Sequence, residues 1–170
     1  MDHQRIWDHF QTKGLHSFSH AAGRYRAMIA EARRCVGAFG SALNIGIGPG
    51  VIERTLHDSN WKVAALDPSE AAVQMLREHG IDARVGWAQA MDFEAKSFDI
   101  VIASEVLEHI EPSVRVLVYT EVRRVLKPGG WFVGSVPFAE SLPDGEAVCP
   151  GCGLVFHRWG HVSRFDLADL

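Results

Sequence analysis

The chain is short of cysteine, with three in 170 residues, an odd number. That argues against a disulfide framework, and Cys35, inside a helix-like run, reads as a small buried hydrophobe. No apolar run reaches the length needed to cross a bilayer. The first residues, Met1-Asp2-His3-Gln4-Arg5, carry no hydrophobic signal segment, so the expected location is cytoplasmic. Basic charge is not in excess: 17 Lys and Arg face 21 Asp and Glu, a net −4. A broad nucleic-acid footprint needs the opposite sign, which makes nucleic acid an unlikely partner. Repeats and low-complexity tracts are also missing. What remains is a hydrophobic fraction of 47% and a charged fraction of 22%, the profile of one ordinary globular domain.

The chain is organised around Leu43-Asn44-Ile45-Gly46-Ile47-Gly48-Pro49-Gly50. An apolar run ends in three alternating glycines, and a helix-like run, Val51 to His57, follows. Glycine tolerates positive φ and lets a ligand approach the backbone closely. A helix opening there points free N–H groups at an anionic or polar ligand. The spacing is G-x-G-x-G, not the G-x-G-x-x-G of dinucleotide-binding folds. Asp67 ends the next apolar run about 20 residues on, where a ribose-binding carboxylate belongs in a βαβ unit.

The rest of the chain alternates strand and helix. The patterns predict helices over residues 1–40, one of them Arg24–Val36, with Ile6, Trp7 and Phe10 sharing a face near the start. Strands are expected at 42–47, 62–66, 82–85, 98–103 and 131–136. Helices are expected at 70–79, with Ser69 as N-cap, and at 113–126. Lys127-Pro128-Gly129-Gly130 predicts a turn. The run Ile100-Val101-Ile102-Ala103 suits a strand buried on both faces. The expected fold class is therefore α/β, a doubly wound parallel sheet with right-handed crossovers. Its parts are a helical N-terminal cap (1–40), a ligand-binding core (41–136) and a tail (137–170). The tail reads as loop, and its last residues, 163–170, as a helix just starting.

Two clusters carry chemistry. Glu105, Glu108 and His109 form E-x-x-E-H; the two carboxylates are i, i+3 and can share a helix face, and His109 can act as a base near neutral pH. The same residues also read as a structural pair at a helix start. In the tail, Cys149-Pro150-Gly151-Cys152-Gly153 has C-x-x-C spacing, and His157 and His161 follow. Four such ligands suffice for a closed tetrahedral zinc site. A redox pair, or a histidine turned toward a substrate pocket, are the competing readings.

Three blocks, residues 43–50, Ser97 to His109 and Val125 to Phe132, resemble the class I S-adenosylmethionine-dependent methyltransferases. The resemblance covers about residues 40–136. It implies a sheet in the order 3-2-1-4-5 that lacks the family's sixth and seventh strands, leaving an edge through which two copies could pair. It implies that Gly46, Ile47, Gly48 and Gly50 cradle the amino-acid end of the cofactor, that Asp67 takes the ribose hydroxyls, and that Pro68 lies on the adenine. Ser104 and Glu105 would face the methyl donor. Asn44 stands where an acidic residue is usual. Trp87 replaces the acid expected at the adenine, with Ala88 and Gln89 offering backbone contacts. Some relatives with a similar E-x-x-E-H hold a divalent metal there, which makes magnesium a candidate beside the tail zinc. The implied activity is methylation of oxygen or nitrogen on a small-molecule, glycan or lipid-linked acceptor. Alternatives are RNA 2′-O-methylation and a non-catalytic cofactor- or zinc-binding module.

Overall fold

The computed structural model describes residues 21–169; the expected helix around Ile6, Trp7 and Phe10 lies outside them. Helix α1 (Ala22–Val36) leads into β1 (Ser41–Ile45), α2 (Val51–His57), β2 (Lys62–Asp67), α3 (Glu70–Arg77), β3 (Asp82–Val85), β4 (Phe98–Ser104), α4 (Pro112–Val125) and β5 (Leu126–Ser135). A hairpin of β6 (Glu146–Val148) and β7 (Val155–His157) follows. The five main strands form one sheet in the order β3-β2-β1-β4-β5, every pair parallel. The Rossmann-like methyltransferase order is thus present. Among the described residues the main sheet has five strands, as expected, and the β6–β7 hairpin forms a separate antiparallel pair outside it.

The alternation of β4 explains its position. Ile100 and Ile102 point into a core shared with Tyr25, Ile29 and Ala32 of α1 and Val73 and Leu76 of α3. Val101 and Ala103 point into the other core, with Val118, Val122 and Val125 of α4 and Phe165 of the tail. All four β4 residues are essentially unexposed. Each large apolar side chain buried this way contributes about 1.5–3 kcal/mol, which is why an unbroken apolar run sits at the centre of the sheet.

Three local expectations change. Lys127-Pro128-Gly129-Gly130 is not a turn before β5 but a bulge within it. Phe98 pairs with Leu126 while Ile100 pairs with Trp131, and Gly129 takes φ +80°. Lys127 Nζ pins the bulge to both oxygens of Asp99, at 2.9 and 3.0 Å. Ser69 does occupy the N-cap of α3, but its hydroxyl caps nothing; its N–H instead donates to Asp67. Residues 163–169 begin no helix; the one helical turn of the described tail is a 3-10 turn at Leu142–Gly145. Phe165 is buried and bridges to Phe138 in parallel. No described helix is long and apolar enough to cross a membrane.

Candidate active site at the carboxyl edge of the sheet

The glycine loop leaves β1 in a left-handed path: Gly46, Gly48 and Gly50 have φ of +81°, +54° and +71°. A Cβ on Gly46 would lie 2.6 Å from Val106 Cγ2, so only glycine passes beneath the β4–α4 connection. Asp67, at the end of β2, latches this loop. Its Oδ2 accepts the Ile47 N–H and its Oδ1 the Ser69 N–H, both at 2.8 Å. Asp67 therefore faces the loop at the position expected of a sugar-binding carboxylate.

Asn44 is buried and wires the loop from below. Its Nδ2 donates to Gly46 O at 3.0 Å and to Glu53 Oε1 at 2.6 Å. Sequence reasoning missed Glu53, a wholly buried carboxyl on α2. Its one signal was an acidic residue adjacent to the apolar stripe of Ile52 and Leu56. Burial pushes its pKa up to about 7, against the hydrogen bond from Asn44. Beyond β3, Trp87 and Ala90 close a tight turn; Trp87 is exposed, Gln89 half-buried and Ala88 buried.

Across the edge, Glu105 follows β4 with φ +56°, a conformation costing a non-glycine residue about 1–3 kcal/mol. It is held from three sides. Its N–H donates to Ser135 O at 2.8 Å, Ser135 Oγ donates to its Oε1 at 2.8 Å, and Arg24 of α1 lies 3.6 Å from its Oε2. Ser104 Oγ sits 3.0 Å from Ser135 Oγ in the same chain of contacts. Glu105 and Glu108 do not share a helix face. The left-handed turn aims Glu105 at Ser135, while Leu107–His109 form a single 3-10 turn that buries Glu108. Burial, joined by repulsion from Glu105, pushes Glu108 up to about 8.

The predicted Cys₂His₂ zinc site does not assemble. Among the described residues, the histidines group with carboxylates instead: Glu108, His109 and His161 in one set, Glu140, His157 and His161 in another. Cys149 and Cys152 sit at the tip of the β6–β7 hairpin. Main-chain N–H groups of Cys152 and Gly151 hold the Cys149 thiol below its usual range. The reason for the split is tertiary. Main-chain N–H groups of Val162 and Ser163 donate to Glu108 O at 2.8 and 3.1 Å. This docks the His161 segment on the β4–α4 connection and away from the hairpin tip. His157 is pressed against Gly145, where an added Cβ would lie 1.8 Å from its Nε2; burial lowers its pKa.

A parallel sheet in this order, with a left-handed glycine loop latched to an aspartate at the end of the second strand, defines a class I S-adenosylmethionine-dependent methyltransferase fold. The family model described as "Methyltransferase domain" matches residues 43–134, and the chain belongs to that family. The phthiotriol/phenolphthiotriol dimycocerosates methyltransferase of Mycobacterium tuberculosis is 33% identical over 105 residues, covering 59% of this chain and 36% of that protein. The trans-aconitate 2-methyltransferase of Mycolicibacterium gilvum is 32% identical over 129 residues, covering 72% and 47%. The crystal structure of the PH0226 protein from Pyrococcus horikoshii OT3 superposes with a TM-score of 0.63 at 27% identity, covering 79% of this chain and 65% of that one. The chain thus spans less than half the length of these two curated relatives.

Proposed function

We propose that this chain transfers the methyl group of S-adenosylmethionine to an oxygen or nitrogen of a small-molecule, glycan or lipid-linked acceptor. The observation that carries this reading is the pairing of the Asp67-latched glycine loop with a strained, tethered Glu105 on the opposite side of the same sheet edge. Gly46, Ile47, Gly48 and Gly50 would hold the amino-acid end, Asp67 the ribose, and Pro68, Trp87, Ala88 and Gln89 the adenine. Ser104 and Glu105 would face the methyl group. The sulfonium is already an activated donor, so the protein has to align the acceptor and take its proton where it has one. Alignment of this kind can supply about 7–11 kcal/mol. Glu105, Glu108 and His109 would take that proton. The relatives' printed substrates, a lipid and a small acid, support a non-nucleic-acid acceptor, as does the net charge of −4.

Calorimetry with S-adenosylhomocysteine on the purified chain tests the cofactor half of the reading, and binding in the micromolar range is the expected result. Absence of binding would leave a fold without its activity.

A further inference from the structure

We propose that Cys149 and Cys152 form a redox-active dithiol that a hydroperoxide converts to an intramolecular disulfide, Cys149 being oxidised first and Cys152 resolving it. This goes beyond the methyl-transfer reading and stands without it.

Both residues lie at the tip of the β6–β7 hairpin, beyond its last ladder pair, Val148 with Val155. The Cys149 N–H donates to Leu154 O and the Gly153 N–H to Cys149 O, each at 2.8 Å. Gly153 closes the turn in the left-handed region, at φ +72°. The chain thus doubles back between the two cysteines, and their sulfurs come near enough to interact. A Cβ added to Gly151 would lie 4.0 Å from Cys149 Sγ, which places that sulfur over the turn. A turn brings residues three apart to within about 7 Å at Cα, the separation that a disulfide spans. Both thiols are free, Cys149 half-buried and Cys152 exposed. The flanking Val148, Leu154 and Val155 are exposed as well, so a small oxidant reaches the tip from solvent.

The order of events follows from the turn. Main-chain N–H groups of Cys152 and Gly151 point at the Cys149 sulfur and favour its thiolate, which is the nucleophilic form. That thiolate attacks one oxygen of the hydroperoxide. An S–O bond forms, the O–O bond breaks, and the departing oxygen takes up a proton. The Cys152 sulfur then attacks the Cys149 sulfenic acid. An S–S bond forms, the S–O bond breaks, and the oxygen leaves as water with the Cys152 proton. The two thiols lose two electrons and the peroxide bond gains them. An accessible, stabilised thiolate beside a resolving cysteine is the arrangement of redox-responsive sites. Cys35 lacks it: its sulfur lies 3.6 Å from Arg34 Nη2 and 3.9 Å from Glu31 Oε1, not beside another thiol. Structural metal is the rival use of such a pair. Among the described residues, neither cysteine belongs to a group of three or more possible ligands, whereas a closed zinc site needs four.

Hydrogen peroxide is the probe. The whole 170-residue chain is reduced, freed of reductant and exposed to peroxide, and the remaining thiols are then alkylated and located by peptide mass spectrometry. The expected product is a monomer that has lost two hydrogens, with Cys149 joined to Cys152 and Cys35 alkylated. Dithiothreitol should reverse it. In C152S the sulfenic acid has no resolving partner, and dimedone should label Cys149 roughly tenfold faster than Cys35. In C149S the disulfide is lost and Cys152 should resist dimedone, while C35S should behave as the parent. Circular dichroism checks that each variant is folded. Elemental analysis of the reduced chain reads the rival directly: stoichiometric zinc that shields both thiols from peroxide until a chelator removes it would overturn the proposal in favour of a metal site. Thiols that stay reduced in the metal-free chain, oxidation of Cys35 as fast as Cys149, or parent-rate labelling of Cys152 in C149S would each overturn it as well.

Discussion

The two ends of the carboxyl edge are built from partners at different distances along the chain. On the glycine-loop side, Asn44 meets Glu53 nine residues away and Ile47 meets Asp67 20 away. On the E-x-x-E-H side, His109 reaches Gly160 across 51 residues and Glu105 meets Ser135 across 30. One side is a single strand–turn–helix–strand unit. The other is stitched together from α1, the end of β4, the end of β5 and the tail. The first kind of site is written in a local motif. The second exists only once the chain has folded.

This comparison can be broken most sharply in the tail. Phe165 is buried in the core of β4 and α4, so F165A should cost about 3–5 kcal/mol in urea unfolding. A loss below about 1 kcal/mol would mean that the tail is an appendage, and the stitched side no site at all. On the local side, Glu53 sharpens the contrast through pH. Its folded pKa lies above its ordinary value, so the unfolded chain releases the proton first as pH rises. Its contribution is whole below pH 4.5 and fades as pH climbs through 7. That share of the slope amounts to about 3 kcal/mol, and E53Q should remove it in unfolding curves taken across the range.

Smaller effects divide binding from chemistry. D67A frees the Ile47 and Ser69 N–H groups and would remove the proposed sugar contact. It should weaken S-adenosylhomocysteine by about 2 kcal/mol, roughly thirtyfold, by calorimetry. Unchanged affinity would sink the cofactor assignment. S135A removes one hydrogen bond to Glu105 and should lower kcat by about 1 kcal/mol, close to fivefold, with KM little changed. A rise in KM alone would place Glu105 in acceptor binding rather than at the methyl group.

Much of this was legible beforehand, and the division follows the same line. Strand runs, helix faces and the spacing from Gly46 to Asp67 are short-range patterns of burial and turn chemistry, so β1 through β4 and the glycine loop were readable directly. The β5 bulge was misread as a turn because glycine and proline mark both; the Lys127–Asp99 contact that makes it a bulge spans 28 residues. Glu140 carried no signal at all, and the histidines of the tail were assigned to the nearby cysteines by sequence spacing.

The amino-acid sequence by itself determined the order of elements and the glycine-loop side of the edge, because hydrophobic periodicity and glycine φ act over a few residues. Only the tertiary structure decided that His161 faces Glu108 and His109 rather than Cys149 and Cys152. That choice rests on main-chain hydrogen bonds from Val162 and Ser163 to Glu108 and on the burial of Phe165. Contacts of that range depend on packing, which spacing along the chain does not encode.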